Sequence, residues 1–450
     1  MPFLKHDRIT PAQVVILGFL FQILIGACLL SLPVATQSGE RVPFLDALFT
    51  ATSATCVTGL ILVDTWTQWT LFGQAVILTM IQLGGLGFMT VITLVSFALH
   101  RRIGLSERLI MVSTLNLNDM DGVVRVVRHA LIGTFAMETA GAVLMSVCLI
   151  PEFGFLKGTW HAVFHAVSSF CNAGFDLLGG RFGAFSSLAG YNDNPLMLGT
   201  TAALIVVGGL GFFVWEDIVD KRCWSRLSVY SKMVLLITAV LIVGGALFFL
   251  MEEFDNPATL GDMPLWQKGL NALFQSVTLR TAGFDSIGQG GLSDTSKAMS
   301  CVLMLIGGSS GSTAGGLKTA TVGVLLLALR SGLMGREQVT FRGRAIHYRR
   351  VLNAMTLALV VLFVFVFSSM VVSTVEDLPY LDSAFEVASA MGTVGLTTGI
   401  TPTLTPFSQG LLILLMYMGR VGILSFSIAF ITGNRHPAKI KYPEMNVMIG

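Results

Sequence analysis

Long runs of apolar residues dominate the chain, and they recur in a fixed order. Eight runs carry few charges and are 19 to 32 residues long. Each can cross a bilayer, because a spanning helix needs about 20 such residues. Within each pair of runs lies a stretch of about 14 residues, a length typical of a re-entrant half-helix. The runs are Val14–Leu32, Leu71–Leu99, Ala130–Ile150, Leu196–Val214, Met233–Met251, Ala298–Leu329, Val351–Val375 and Gly410–Thr432.

This three-part pattern occurs four times. Each short stretch contains a similar phrase that ends in phenylalanine, and a glycine follows nine or ten residues later. The glycines Gly59, Gly174, Gly283 and Gly395 are 115, 109 and 112 residues apart. Such a period indicates structural repeats. We predict an all-α integral membrane protein of four parallel helix–pore-helix–helix repeats, with eight transmembrane helices and four re-entrant pore helices around a central pore. The predicted repeats are 1–99, 100–219, 220–332 and 333–450.

Composition and charge support a membrane protein. Hydrophobic residues make up 53% of the 450 and charged residues 12%, against about 25% charged in soluble domains. This excludes a soluble fold and a nucleic-acid-binding protein. Of the 28 Lys and Arg residues, 20 lie in the two termini and in segments 100–129, 215–232 and 330–350. The positive-inside rule therefore predicts that both termini are cytoplasmic. Acidic residues are concentrated on the other side, where they would attract cations.

The residues around each repeat glycine are candidates for an ion filter. Backbone at membrane depth must line a cavity or be buried in protein, and four equivalent turns can direct carbonyl oxygens at one dehydrated cation. Glycine allows the positive φ that such a turn needs. Uncharged oxygens suit a large monovalent cation better than calcium or magnesium. The predicted filter loops are Val57, Thr58, Gly59; Asn172, Ala173, Gly174; Thr281, Ala282, Gly283; and Thr393, Val394, Gly395.

The second long run of repeat 3 is broken by small residues that cannot hold a regular helix against lipid. We expect this segment, 307–316, to cross the pore beneath the filter, and we expect Gly208–Gly211 of repeat 2 to interrupt its helix less. Arg420 falls at a similar depth and could donate to the carbonyls of this segment. Lys318 could be a second residue that holds the loop in its closed position, or its side chain could extend to the cytoplasm. The predicted gate loop comprises Gly308, Ser309, Ser310, Gly311, Ser312, Thr313, Ala314, Gly315 and Gly316.

Two further charges fall close to these segments. Arg280 directly precedes the third filter loop, and we expect it to point away from the pore and brace the loop. Glu138 lies inside a membrane run and is read as a paired structural charge, with an ion ligand as the alternative.

These motifs resemble the Trk/Ktr/HKT superfamily of potassium transporters along the whole chain, and most closely the Ktr membrane subunit. The C-terminal Lys441-Tyr442-Pro443-Glu444 is similar to the Ktr tail. The resemblance implies potassium as substrate, since Gly59 stands where serine is associated with sodium, and implies sodium as a candidate activator. It also implies a bacterial inner membrane, the gate loop, a homodimer and a cytosolic ring of KtrA-type regulatory subunits. Any nucleotide would bind that partner, because this chain has no nucleotide-binding fingerprint.

Three alternatives remain open at this stage. One is a sodium-conducting member of the same superfamily. Another is a transporter with alternating access, which also uses repeats and broken helices. The third is an intramembrane protease, suggested by Gly308-Ser309-Ser310-Gly311. It needs a histidine base after the serine, and only His347 and His436 follow, both in predicted cytoplasmic segments.

Overall fold

The computed structural model describes residues 11–87 and 123–422 of the protein. Most of the basic segment 100–129 and the tail Lys441–Glu444 lie outside these residues. The predictions made for them therefore rest on the sequence alone. The described part is almost entirely helical, with one small β-hairpin.

Four long helices open the four repeats. Their apolar stretches meet the length needed to span a membrane, and three of them begin within basic segments. Ser228 caps the third by accepting a hydrogen bond from the Ser231 amide at 3.1 Å, which fixes where that helix starts. The long helices are α1 (Pro11–Leu30), α5 (Val123–Phe153), α10 (Val229–Glu252) and α14 (Tyr348–Glu376).

Each long helix is followed by a pore helix too short to cross a bilayer. Pro43, Pro264 and Pro379 stand immediately before three of them, where a missing N–H costs little. The phenylalanine of the repeated phrase is fully buried in every copy, which explains its recurrence. These residues are Phe49, Phe164, Phe274 and Phe385. The pore helices are α2 (Phe44–Cys56), α6 (Phe155–Cys171), α11 (Leu265–Thr278) and α15 (Tyr380–Gly392).

Among the described residues, the second helices of the repeats are shorter than the apolar runs of the sequence. Among the described residues, four helices are long enough to span, or five if one bent pair counts as a span. The second helices of repeats 1 and 4 end where the described residues end, and that of repeat 3 is divided by the gate loop. They are α4 (Leu71–Leu86), α8 (Pro195–Leu210) with α9 (Phe212–Lys221), α12 (Asp294–Leu305) with α13 (Thr319–Leu333), and α16 (Pro406–Val421).

The second helix of repeat 2 is bent sharply at its glycine segment. It bends by 95° between α8 and α9, at Gly211, which has a φ of 87°. The Phe212 amide leaves the helical pattern and donates to the Gly311 carbonyl at 2.9 Å. The interruption at Gly208–Gly211 is shorter than that of repeat 3, as expected. The sharp bend was not predicted, because the partner of Phe212 lies in another repeat, which local sequence does not reveal.

The remaining elements are short and lie at the helix ends. Helices α3 (Thr65–Gln68) and α7 (Gly179–Phe182) follow the first two pore helices, and they contact each other. The hairpin of β1 (Thr340–Phe341) and β2 (Arg344–Ala345) is antiparallel and connects α13 to α14.

Helix packing closes the repeats into a ring. In every repeat the long helix packs on its own pore helix, and the second helix packs on the pore helix of the next repeat. Thus α4 contacts α6, α8 contacts α11, and α12 contacts α15. The ring is completed where α16 of repeat 4 contacts α2 of repeat 1. All four repeats therefore have equivalent neighbours, which places their pore helices around one centre.

Candidate functional site

All four filter loops have the same unusual backbone. In each loop the filter glycine and the residue two positions before it have left-handed φ angles. In the first loop these are Val57 at 58° and Gly59 at 96°. Bulky residues rarely adopt this conformation, so its occurrence in all four copies marks a shared constraint. The corresponding pairs are Asn172 and Gly174, Thr281 and Gly283, and Thr393 and Gly395.

The filter loops touch one another in a closed cycle. A Cβ atom added to Gly59 would lie 2.5 Å from the Ala173 carbonyl oxygen, and one added to Gly174 would lie 2.9 Å from that of Ala282. One added to Gly283 would overlap the Val394 carbonyl oxygen. Finally, one on Gly395 would overlap the Thr58 carbonyl oxygen, which returns the cycle to the first loop. The twelve predicted filter residues are therefore brought together, and the absence of a side chain at each glycine lets neighbouring carbonyls approach.

Hydrogen bonds from the pore helices hold the loops in this conformation. The Gly59 amide donates to the Ser53 hydroxyl, and the Gly395 amide donates to the Ser389 hydroxyl, each at 3.0 Å. The Asn172 side-chain amide donates to the Thr281 hydroxyl of the next loop at 3.3 Å. Because these backbone amides are already bonded to side chains of the protein, they are not available to face the centre of the ring. The carbonyl groups can occupy that position instead. The pore-helix C-termini, which carry partial negative charge, adjoin the same loops.

The gate loop lies against the repeats that neighbour its own. The Ser309 amide donates to the Gly209 carbonyl at 3.0 Å, and the Thr313 hydroxyl donates to the Phe170 carbonyl at 3.2 Å. Phe170 is in the last turn of pore helix α6. Gly315 comes so close to Thr393 that an added Cβ would overlap its hydroxyl oxygen. The loop therefore packs against the end of pore helix α6 and against the filter loop of repeat 4.

Arg420 connects the gate loop to two other repeats. From the last turn of α16, its guanidinium donates to the Thr313 carbonyl of the loop and to the Gly84 carbonyl at the end of α4. A further bond to the Gly85 carbonyl measures 3.0 Å. The structure thus places Arg420 on a loop carbonyl, in the arrangement that the sequence suggested. Lys318 donates its Nζ to the Ala314 carbonyl at 2.7 Å, so it folds back on the loop and does not extend to the cytoplasm.

Arg280 makes a contact that the sequence did not specify. Its side chain is almost fully buried and donates to the Gly307 carbonyl at 3.4 Å and to the Thr319 hydroxyl at 3.3 Å. It thereby joins Gly307, at the start of the broken segment, to Thr319, the first residue of α13. Its expected orientation away from the pore stays a prediction. The only local signal was a cation inside a segment at membrane depth.

Glu138 lies behind the second pore helix. Its carboxylate accepts a hydrogen bond from the Gln82 side-chain amide at 3.2 Å, and the Cys171 thiol is 3.9 Å from it. These partners are neutral, so within the part of the chain that the structure describes Glu138 has no cationic partner of the kind that a paired charge would have. Gln82 lies two residues before Gly84, whose carbonyl accepts a hydrogen bond from Arg420. Glu138 and Arg420 therefore both bond to the end of α4.

The chain is similar in sequence to known proteins along almost its whole length. Residues 12–438 match a family model described as TrkH, a cation transport protein. The chain is 44% identical to the potassium/sodium uptake protein NtpJ of Enterococcus hirae, over 99% of this chain and 98% of that protein. It is 37% identical to the Ktr system potassium uptake protein B of Bacillus subtilis, over 99% and 98%.

The fold is similar to that of a solved structure. The crystal structure of the potassium transporter TrkH from Vibrio parahaemolyticus matches with a TM-score of 0.74 at 18% identity, over 95% of this chain and 86% of that one. At this identity the match concerns the fold alone.

Proposed function

Because the chain belongs to the TrkH family of cation transport proteins, we propose that it takes up potassium ions through the ring of filter loops. It is a membrane cation transporter and not an enzyme, so the protease alternative is excluded. The motif Gly308-Ser309-Ser310-Gly311 lies in the gate loop, and His347 caps helix α14 by accepting from the Arg349 amide.

The closed cycle of left-handed glycine loops carries this proposal. Four peptide segments that approach around one centre can offer carbonyl oxygens in place of the water shell of a cation. Peptide oxygens carry no net charge, which favours a monovalent ion over calcium or magnesium. Gly59 is the first-repeat glycine, and in the family that this chain resembles, glycine at this position accompanies potassium selectivity. A fixed pore through four parallel repeats also favours channel-like flow over alternating access.

The test replaces Gly59 by serine. A non-glycine residue in the left-handed region costs about 1–2 kcal/mol, and the new Cβ would press on the Ala173 carbonyl. We expect the preference for potassium over sodium to fall, because displaced carbonyl oxygens replace the water shell of the cation less well; the measurement is the uptake ratio in transport-deficient cells. Gly39 is the matched control, since it has a φ of 70° and nothing within 4 Å of an added Cβ. An unchanged ratio in folded Gly59→Ser would refute the filter assignment.

The gate loop is the second part of the proposal. Gly308–Gly316 would obstruct the pore in the closed state, with Arg420 and Lys318 bonding its carbonyls. The positive charge of Arg420 would also oppose a cation beneath the filter. Opening would then require the Arg420 bond to Thr313 to break.

Regulation by a partner completes the proposal. We infer a homodimer in a bacterial inner membrane, with both termini cytoplasmic and a KtrA-type ring carrying the nucleotide. The relatives called Ktr system proteins support an assembly of this kind. The basic segments 100–129 and 330–350 are the proposed docking surfaces. Crosslinking from exposed Arg342 of the hairpin to the ring would test the second of them.

A role for sodium is favoured by one observation. The relative with 44% identity is named a potassium/sodium uptake protein. Sodium could therefore be an activator or a second cargo of this chain. Potassium uptake with and without external sodium, together with direct sodium uptake in the absence of potassium, separates the two.

A further inference from the structure

A cavity of about 440 Å³ lies between helices α10, α13 and α14 and the β-hairpin. It occurs at the basic end of α10 and α14, opposite the ends that lead to the pore helices. Its volume falls within the range of about 300–1,000 Å³ that is typical of small-ligand sites. No residue of the filter loops or of the gate loop lines this cavity.

The cavity has two chemically different parts. Most of its walls are apolar, for example Met233, Val324 and Leu357. The side chains of Arg344, on the hairpin, and Arg350, in the first turns of α14, also line it. Water is a poor occupant of the apolar part, because a buried water needs two to four polar partners. A suitable ligand therefore combines an apolar chain with an anionic group.

We propose that this cavity binds one anionic glycerophospholipid. One of its acyl chains would lie against α10, α13 and α14. Its phosphodiester would contact Arg344 and Arg350. Such a lipid is available where helix ends meet the headgroups, and clustered arginines there attract anionic headgroups. Arginine also matches the planar geometry of two phosphate oxygens better than lysine does. Arg344 and Arg350 are thus assigned a ligand beyond their contribution to topology.

The experiment measures lipid retention on the purified full-length protein by native mass spectrometry. Phosphatidylglycerol and phosphatidylcholine with identical chains are compared, and inorganic phosphate serves as a headgroup without a chain. We expect phosphatidylglycerol to bind more tightly than either. The double variant Arg344→Gln/Arg350→Gln should weaken its binding roughly 10- to 30-fold. Arg222→Gln/Arg226→Gln, which changes the net charge equally on exposed residues outside the cavity, should leave it unchanged.

A second variant tests the apolar part. Val324→Trp fills the cavity from α13 without removing an arginine, and it should weaken phosphatidylglycerol binding to a similar degree. Equal binding of the two lipids, binding of phosphate as tight as that of the lipid, or equal losses in both arginine pairs would overturn the proposal. The proposal would also be overturned if crosslinking through Asn353→Cys showed that a second copy of the chain covers the cavity. These readouts do not involve transport, so they are independent of the proposed function.

Discussion

Removing the guanidinium of Arg420 tests the gate loop most directly. In the structure this group donates to the carbonyl of Thr313, and the same side chain is anchored on the carbonyls of Gly84 and Gly85. Of the three bonds of Arg420, the one to Thr313 joins α16 to the loop, so that bond must break when the loop moves away. Arg420→Ala deletes it together with the positive charge.

The size of the effect follows from that one bond. A hydrogen bond to a charged group contributes about 1.5–3 kcal/mol net. Its loss from the closed state alone would shift the ratio of open to closed protein roughly 10- to 150-fold. Where the closed state dominates, potassium flux should rise by a similar factor. Arg420→Gln keeps one amide donor without the charge, and we expect its flux to lie between those of wild type and alanine.

The assay is potassium flux into liposomes that contain the purified protein without a partner. Arg181→Ala is the matched control, because Arg181 is a partly exposed arginine outside the gate loop that pairs with Glu152. Its removal changes the net charge equally and leaves the loop untouched. Wild-type flux in folded Arg420→Ala would refute the reasoning. A rise of equal size in Arg181→Ala would also refute it, since the effect would then reflect charge alone.

Two further substitutions probe the packing around the pore. Gly315→Ala should displace the gate loop from Thr393, because the added Cβ would overlap the threonine hydroxyl. We expect a higher basal flux, whereas Gly244→Ala, at a helical site with nothing within 4 Å, should not change flux. Glu386→Ala removes a buried carboxylate that accepts from the Thr397 hydroxyl at 2.5 Å and the Thr401 hydroxyl at 2.6 Å. Each buried donor left without a partner costs about 1–3 kcal/mol, so the variant should unfold at a clearly lower temperature in a thermal assay.

Each of these predictions has an outcome that contradicts it. Unaltered flux in Gly315→Ala would mean that the loop tolerates the methyl group and does not contact the filter closely. For the carboxylate, Glu376→Ala is the control, because Glu376 makes its bonds to Thr405 at an exposed site. Equal melting temperatures for wild type and Glu386→Ala would show that the buried network does not stabilise the fourth filter loop.

Hydrophobic runs, the repeat period and the position of each filter glycine could all be read from the sequence. These features depend on residues near one another in the chain: apolar length sets what can span a membrane, and a glycine marks where the backbone can become left-handed. The long helix Val229–Glu252 and the pore helix Phe44–Cys56 occur where these patterns predict them. The same local signals place Arg420 and the gate loop at one depth.

The tertiary structure alone decided which repeats touch. The bend at Gly211, the contact of Arg280 with Gly307 and the cavity beside Arg344 all join segments from different elements. Their partners are tens to hundreds of residues away in the chain, and no local propensity specifies such a pairing. The cyclic order of the filter loops likewise arises only when each second helix packs on the next pore helix. Hydropathy and glycine position thus determined the parts, whereas packing between repeats determined how they assemble around one centre.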